Sequence, residues 1–139
     1  MDSKDPILIG KVRDLLVDEM TRHSELYDEC DLQRVKCNDW TVQRFLIASR
    51  VDVDKAFTMA RDAMQWRKSF GVNTRTDLDF PLEFYQIGAI FPYLEDREGR
   101  IVIYLRIRLY KYFPKFSEYF KQLIIHITNK IDLQMEGKG

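Results

Sequence analysis

The sequence predicts a mostly helical α+β fold, in which an N-terminal three-helix bundle precedes a β-hairpin and a final helix. Two observations carry this prediction. In the first half of the chain, apolar residues recur at three- and four-residue steps, as on helices that bury one face. After Gly88 the apolar residues follow a two-residue alternation instead, which is typical of strands.

Capping signals set the bounds of the bundle. Asp5 is placed to cap the first helix, and Pro6 suits its first turn. Asp52 caps the third helix, and Gly71 can end it in a left-handed conformation. These signals predict a bundle over residues 5–73 with these elements: a helix over 5–28, a short turn or helix over 32–36, a helix from Asn38 or Asp39 to about Arg50, and a helix over 53–70.

The second half is expected to be the N-terminal part of an α/β domain over residues 81–139. A hairpin with one helix leaves apolar faces uncovered, since two strands alone are marginal in water. We therefore expect the domain to be incomplete and to continue past Gly139. Its expected elements are a polar linker at 72–80, a short helix from Pro81 to Gln86, strands over 89–94 and 101–109, and a helix from about Lys115.

Composition and charge exclude several classes of protein. The 22 basic and 22 acidic residues balance, so no overall field draws the chain to nucleic acid. The longest apolar run, at 101–105, is far shorter than the roughly 20 residues of a spanning helix. The first five residues are mixed in charge, which argues against a secretory signal. A cytoplasmic protein is expected.

The sequence offers little for catalysis or metal binding. Cys30 and Cys37 are expected to be two reduced thiols, and the alternative is a zinc site that also recruits His23. His126 lies in an apolar run, which favours a packed helix residue over a catalytic base. Because nucleotide-binding and hydrolase motifs are missing, we expect a non-enzymatic protein without cofactor or metal.

Basic residues are concentrated in one segment. Between Arg97 and Lys121 there are seven basic and two acidic residues, with tyrosines among them. Such a mixture suits an anionic membrane surface, although it would also suit single-stranded nucleic acid or a simple solvated strand face. The expected membrane-surface patch comprises Arg100, Arg106, Arg108, Lys111, Lys115 and Lys121.

Three segments resemble the CRAL-TRIO family of lipid-binding proteins, which includes the yeast-type phosphatidylinositol-transfer proteins. The run FLIASRVDVDKA at 45–56 is similar to the family's F-L-R-A-R-K-F-D-x-x-K-A, and QWRKSFG at 65–71 to its W-R-x-x-x-G. The run DREGRIV at 96–102 is similar to D-x-x-G-R-P-V, with Ile101 in place of proline. The order of NDW at 38–40, QWRK at 65–68 and GAI at 88–90 is closest to the motile-sperm-domain-containing branch.

The resemblance implies a helical module followed by an incomplete lipid-binding domain. It implies a hydrophobic lipid ligand, and an endoplasmic reticulum location if a longer form carries an anchor. Ser49 and Arg50 stand where the phosphoinositide-binding members have a basic pair, so Arg50 alone would meet a headgroup. Expected lipid-binding residues are Arg50, Ile101, Ile103, Tyr104, Leu105 and Ile107.

Two functions follow as expectations. The first is a lipid-binding or lipid-transfer module that acts at membrane surfaces, with an acyl or isoprenoid chain held in an apolar cavity. The second is a protein-interaction module or regulatory isoform without a working pocket, whose apolar faces are covered by a protein partner.

Overall fold

The structure, a computed structural model, describes residues 2–112 and 117–136, with the backbone alone at 110–112. It confirms the mostly helical α+β fold. The chain divides after Asn73 into two compact units, a helical unit over 1–73 and a second unit over 74–138. The elements are α1 (Pro6–Arg22), α2 (Glu29–Cys37), α3 (Asp39–Ala48), α4 (Val53–Phe70), α5 (Leu82–Gln86), β1 (Ile90–Glu95), β2 (Ile101–Leu105), α6 (Ile107–Tyr112) and α7 (Ser117–Met135).

Three predicted caps are present in the helical unit. The Asp5 carboxylate accepts from the Ile7 amide at 2.9 Å, and the Asp52 carboxylate from the Lys55 amide at 3.1 Å. Gly71 ends α4 with a φ of 76°, in the left-handed region where glycine carries no steric penalty. Local side chains therefore set the bounds of these helices, as the sequence predicts.

The predicted first helix was too long, because Tyr27 folds back into the core. Helix α1 ends at Arg22, and a short 3-10 helix covers Ser24–Leu26. Tyr27 is buried, and its hydroxyl donates to the Glu19 carboxylate at 3.0 Å. Gln65 of α4 in turn donates to the same hydroxyl at 2.9 Å. These two hydrogen bonds compensate for burying the polar end of the ring.

The short segment after Tyr27 is a helix rather than a turn. Helix α2 buries Leu32 and Val35, which makes the unit a four-helix arrangement around one core. The fully buried carboxylate of Asp31 accepts from Arg67 Nε at 2.9 Å and from Asn73 Nδ2 at 3.0 Å. The core comprises Leu8, Ile9, Val12, Leu16, Met20, Tyr27, Leu32, Val35, Val42, Leu46, Ala56, Ala60 and Met64.

The segment expected to be a linker is ordered structure. Asp77–Asp79 form a 3-10 turn whose N-cap is Thr76, and Phe80 is buried in the core of the second unit. The Asp77 carboxylate lies 2.8 Å from His126 Nε2 and accepts from Lys130 Nζ at 2.6 Å. Asp77, one of the polar residues that predicted a linker, therefore attaches this segment to α7.

The second strand is shorter than predicted. Strand β2 ends at Leu105, and residues 107–112 form α6 instead of continuing the strand to Leu109. The Arg106 amide still donates to the Ala89 carbonyl at 2.9 Å. Gly88, which precedes Ala89, has a φ of 62°, so the backbone on the N-terminal side of β1 turns away from the residues after Arg106. Residues 107–109 therefore have no strand opposite them. The core of this unit comprises Phe80, Phe84, Ala89, Ile90, Phe120, Leu123, Ile127 and Ile131.

Candidate binding site

The hairpin presents two different faces. Strands β1 and β2 are antiparallel, with Ile90 opposite Leu105 and Phe91 opposite Tyr104. Because neighbouring residues of a strand point to opposite faces, these two pairs lie on opposite sides of the sheet. The Phe91 and Tyr104 rings stack with centroids 5.4 Å apart. The ring centroids of Tyr93 and Tyr104 lie 6.2 Å apart. We call Phe91, Tyr93 and Tyr104 the aromatic face.

The side of the hairpin with Ile90 and Leu105 borders an apolar cavity. Its volume is about 260 Å³, and α6 and α7 supply the other walls. Among the described residues that line it, Arg106 alone is charged, and the others are aliphatic or aromatic. The lining residues are Ala89, Ile90, Leu105, Arg106, Ile107, Leu109, Phe120 and Ile124.

Arg106 is hydrogen-bonded at its backbone, and its side chain has no ion-pair partner among the described residues. Its guanidinium carbon lies against Gly88, 3.8 Å from the place where a Cβ would stand. Among the residues that the structure describes, no carboxylate forms an ion pair with Arg106. The cavity therefore has one cation at its wall and no acidic partner for it within the described chain.

Two other basic residues of the expected patch, Arg100 and Lys121, lie beside acidic side chains. Arg100 donates to the Asp96 carboxylate at 2.8 Å and lies 2.7 Å from the Glu98 carboxylate. Lys121 lies 3.9 Å from the Glu118 carboxylate. Acids within the hairpin turn and the first turn of α7 thus offset part of the positive charge.

Arg106 and Arg108 do not lie on one strand, although the predicted strand over 101–109 includes both. Arg106 follows β2, and Arg108 lies in α6. Both side chains are exposed. The side chain of Lys111 and all of Lys115 lie outside the described residues.

The expected lipid-binding residues of the second unit are mostly exposed. Ile103, Tyr104 and Leu105 are 39, 44 and 47% exposed, and Ile107 reaches 73%. Ile101 is the exception, because it packs partly into the core. Only Leu105 and Ile107 of this group line the cavity.

Arg50 belongs to the helical unit, whereas the other expected lipid-binding residues belong to the second unit. It is exposed, with a φ of 57°, in the turn that follows α3. Ser49 beside it is buried, and its hydroxyl donates to the carbonyls of Leu46 and Asp52 at 3.1 and 3.0 Å. Ser49 therefore has a local role, which is to join α3 to α4.

The cysteines do not form the alternative zinc site. Cys30 and Cys37 are both free thiols on α2. Partial desolvation and the carboxylates of Asp31 and Asp28 raise the pKa of the Cys30 thiol, which disfavours the thiolate that a metal requires. Across residues 2–112 and 117–136, no cluster of three or more histidine, cysteine or acidic side chains could hold a metal ion.

Comparison with known proteins gives no family for this chain. No protein-family model matches it, and no solved structure matches it. In the described part of the chain, no helix is both long enough and apolar enough to cross a membrane.

The sequence analysis expected an apolar cavity, but of the residues that line this one it assigned only Leu105 and Ile107 to lipid binding. Phe120 and Ile124 stand four residues apart on α7, and this spacing could have indicated one wall. The position of Arg106 against Gly88 depends on where β2 ends. The alternating pattern predicts that end at residue 109, whereas the strand ends at Leu105. The place of Arg106 beside the cavity is thus a product of the tertiary structure.

Proposed function

We propose that this protein is a non-enzymatic lipid-binding module that acts at anionic membrane surfaces through its hairpin. The observation that carries the proposal is a concentration of exposed apolar side chains along the hairpin, next to two arginines, Arg106 and Arg108. Single exposed apolar residues are normal, whereas larger exposed apolar surfaces mark interaction sites. Tyr93 and Tyr104 lie on the aromatic face, and Leu94, Ile103, Leu105 and Ile107 are exposed elsewhere on the hairpin and at the start of α6; the six range from 39 to 73% exposed.

The chemistry of the hairpin suits a bilayer interface. Tyrosine is enriched at the level of lipid headgroups, because its ring is apolar and its hydroxyl is polar. Tyr93 and Tyr104 supply two such rings on the aromatic face. Transfer of apolar area out of water contributes about 25 cal/mol per Å², and each cation near an anionic surface adds about 1 kcal/mol.

The resemblance to CRAL-TRIO proteins supports a lipid as the ligand. One of its three segments, residues 96–102, includes the hairpin turn and the first two residues of β2. A short apolar cavity lies at the other end of the same strand, beside Leu105. The proposal assigns His126 a structural role, because its Nε2 faces the Asp77 carboxylate that also binds Lys130.

Vesicle co-sedimentation tests the proposal. The chain should bind vesicles that contain phosphatidylserine and leave pure phosphatidylcholine vesicles largely unbound. Binding should weaken between about 0.1 M and about 1 M salt, where the Debye length falls from about 10 Å to about 3 Å. The double variant Arg106→Gln/Arg108→Gln should lose about 2 kcal/mol, or roughly thirtyfold in affinity, at low salt.

A matched control removes two cations from the helical unit. The double variant Lys11→Gln/Lys36→Gln changes the net charge equally at two exposed positions and should bind as the unmodified chain does. An equal loss in both double variants would show that net charge alone governs binding. No binding to anionic vesicles at low salt would contradict the proposal and favour the alternative, in which a protein partner covers the hairpin.

A further inference from the structure

We propose that the cavity beside Arg106 holds a single-chain fatty-acid anion, with its chain among the apolar walls and its carboxylate on the guanidinium. This inference rests on the proposed lipid-binding function and narrows its ligand to one chemical class. It combines three observations: the volume of the cavity, its apolar lining, and one arginine without a carboxylate partner in the described chain.

The volume sets the size of the ligand. Small-molecule pockets commonly measure about 300–1,000 Å³, and this cavity of about 260 Å³ lies just below that range. It accommodates one short apolar chain. A phospholipid with two long acyl chains is too large for it, so a single-chain amphiphile is the class of lipid that fits.

The lining sets the chemistry of the chain. Ala89, Ile90 and Phe120 are buried side chains of the core, and they meet the cavity with apolar atoms. Leu109 and Ile124 complete the wall and are partly buried. Each methylene that leaves water for such a wall should raise affinity about fourfold, until the chain outgrows the cavity.

Arg106 sets the charge of the head group. A guanidinium presents a planar fork of donors that matches a carboxylate with two parallel hydrogen bonds. The Arg106 amide donates to the Ala89 carbonyl at 2.9 Å, and its guanidinium carbon lies 3.8 Å from the position of a Gly88 Cβ, an ordinary van der Waals distance. A neutral head group would leave this cation unpaired, and a cationic one would be repelled.

Isothermal titration of the intact chain, without vesicles, tests the inference. Decanoate, decanol and decyltrimethylammonium are compared below the concentrations at which they form micelles. Decanoate should bind at one per chain, about tenfold more tightly than decanol, because a hydrogen bond to a charged group is the stronger kind. Decyltrimethylammonium should bind most weakly.

Variants locate the site. Arg106→Gln should reduce decanoate affinity about tenfold and leave decanol affinity unchanged. Arg106→Lys should retain part of the preference for decanoate over decanol. Arg22→Gln, which removes an exposed arginine from α1, should bind decanoate like the unmodified chain. Leu105→Trp, at a half-exposed position of the lining, should reduce the affinity for decanoate and decanol alike.

Two results would overturn the inference. Equal affinity for decanoate and decanol would show that Arg106 does not select the head group, and equal effects of Arg106→Gln and Arg22→Gln would place the anion elsewhere. Vesicle co-sedimentation distinguishes failure of the fatty-acid site from failure of the proposed membrane function. A chain that sediments with anionic vesicles but does not bind decanoate retains the membrane function and lacks the fatty-acid site.

Discussion

Removal of the buried carboxylate of Asp31 is expected to destabilise the helical unit strongly. The Asp31 side chain is fully buried, and it accepts from Arg67, whose side chain is only 16% exposed. Asn73 donates to it at 3.0 Å, and Arg34 lies 3.7 Å away. The carboxylate thus joins α2, α4 and the segment after Gly71. Replacing it with Asn keeps the shape of the side chain and removes the charge.

The expected cost of Asp31→Asn is about 3 kcal/mol. Removing one partner of a buried ion pair costs about 3–5 kcal/mol, because the other charge stays buried without compensation. The lower value applies because Arg67 and Arg34 retain some contact with water, at 16 and 13% exposure. A domain of this size has a free energy of unfolding of only about 4–11 kcal/mol. The substitution should therefore lower Tm by more than about 10 °C.

Tryptophan fluorescence during urea and thermal unfolding measures this loss. The chain has two tryptophans, Trp40 and Trp66, and both lie in the helical unit. Asp62→Asn is the control, because Asp62 is 62% exposed and pairs with Arg61 at the surface. It should cost less than about 1 kcal/mol. Equal losses from Asp31→Asn and Asp62→Asn would refute the reasoning.

Three further predictions concern the two units and the size of the cavity. A fragment of residues 5–73 should melt cooperatively by circular dichroism, since its four helices share one core; a gradual, coil-like transition would contradict this. Hydrogen bonds from Lys130 and His126 lower the pKa of Asp77 below its ordinary value of 3.8, so its contribution is present above about pH 4 and is lost in more acidic solution. The unmodified chain should therefore exceed Asp77→Asn in stability by up to about 1 kcal/mol at pH 6, and this advantage should shrink as the pH falls below about 4; an advantage that stays constant down to the acid limit of folding would be inconsistent with it. The 139-residue chain should not extract phospholipid from vesicles stoichiometrically, because its cavity of about 260 Å³ is too small; a co-purified phospholipid at one per chain by mass spectrometry would disprove this.

Features with local causes were predictable from the sequence. Asp52 and Gly71 bound α4 at the predicted positions, because a cap depends on residues within one turn of the helix end. The strands at 90–95 and 101–105 also follow from their local pattern. Both kinds of signal lie within a few residues of the structure that they predict.

Features with distant partners were not predictable. The Asp31–Arg67 pair spans 36 positions and the Asp77–His126 pair spans 49, and no pattern in the sequence links their members. The end of β2 is a similar case. Ile107 and Leu109 continue the apolar alternation, but a strand needs a neighbour to accept its hydrogen bonds. The turn at Gly88 removes that neighbour, so α6 forms and places Arg106 at the cavity.

The two faces of the hairpin would let the proposed membrane contact and the proposed ligand binding occur together. Phe91, Tyr93 and Tyr104 lie on one side of the sheet, and Leu105 borders the cavity on the other. Aromatic rings that enter the interface would therefore leave the cavity wall formed by the hairpin undisturbed. Arg106 stands where β2 ends, so it can approach an anionic surface without the aromatic face having to turn away. A fatty acid released by the bilayer would then meet Arg106 at the end of β2 that borders the cavity.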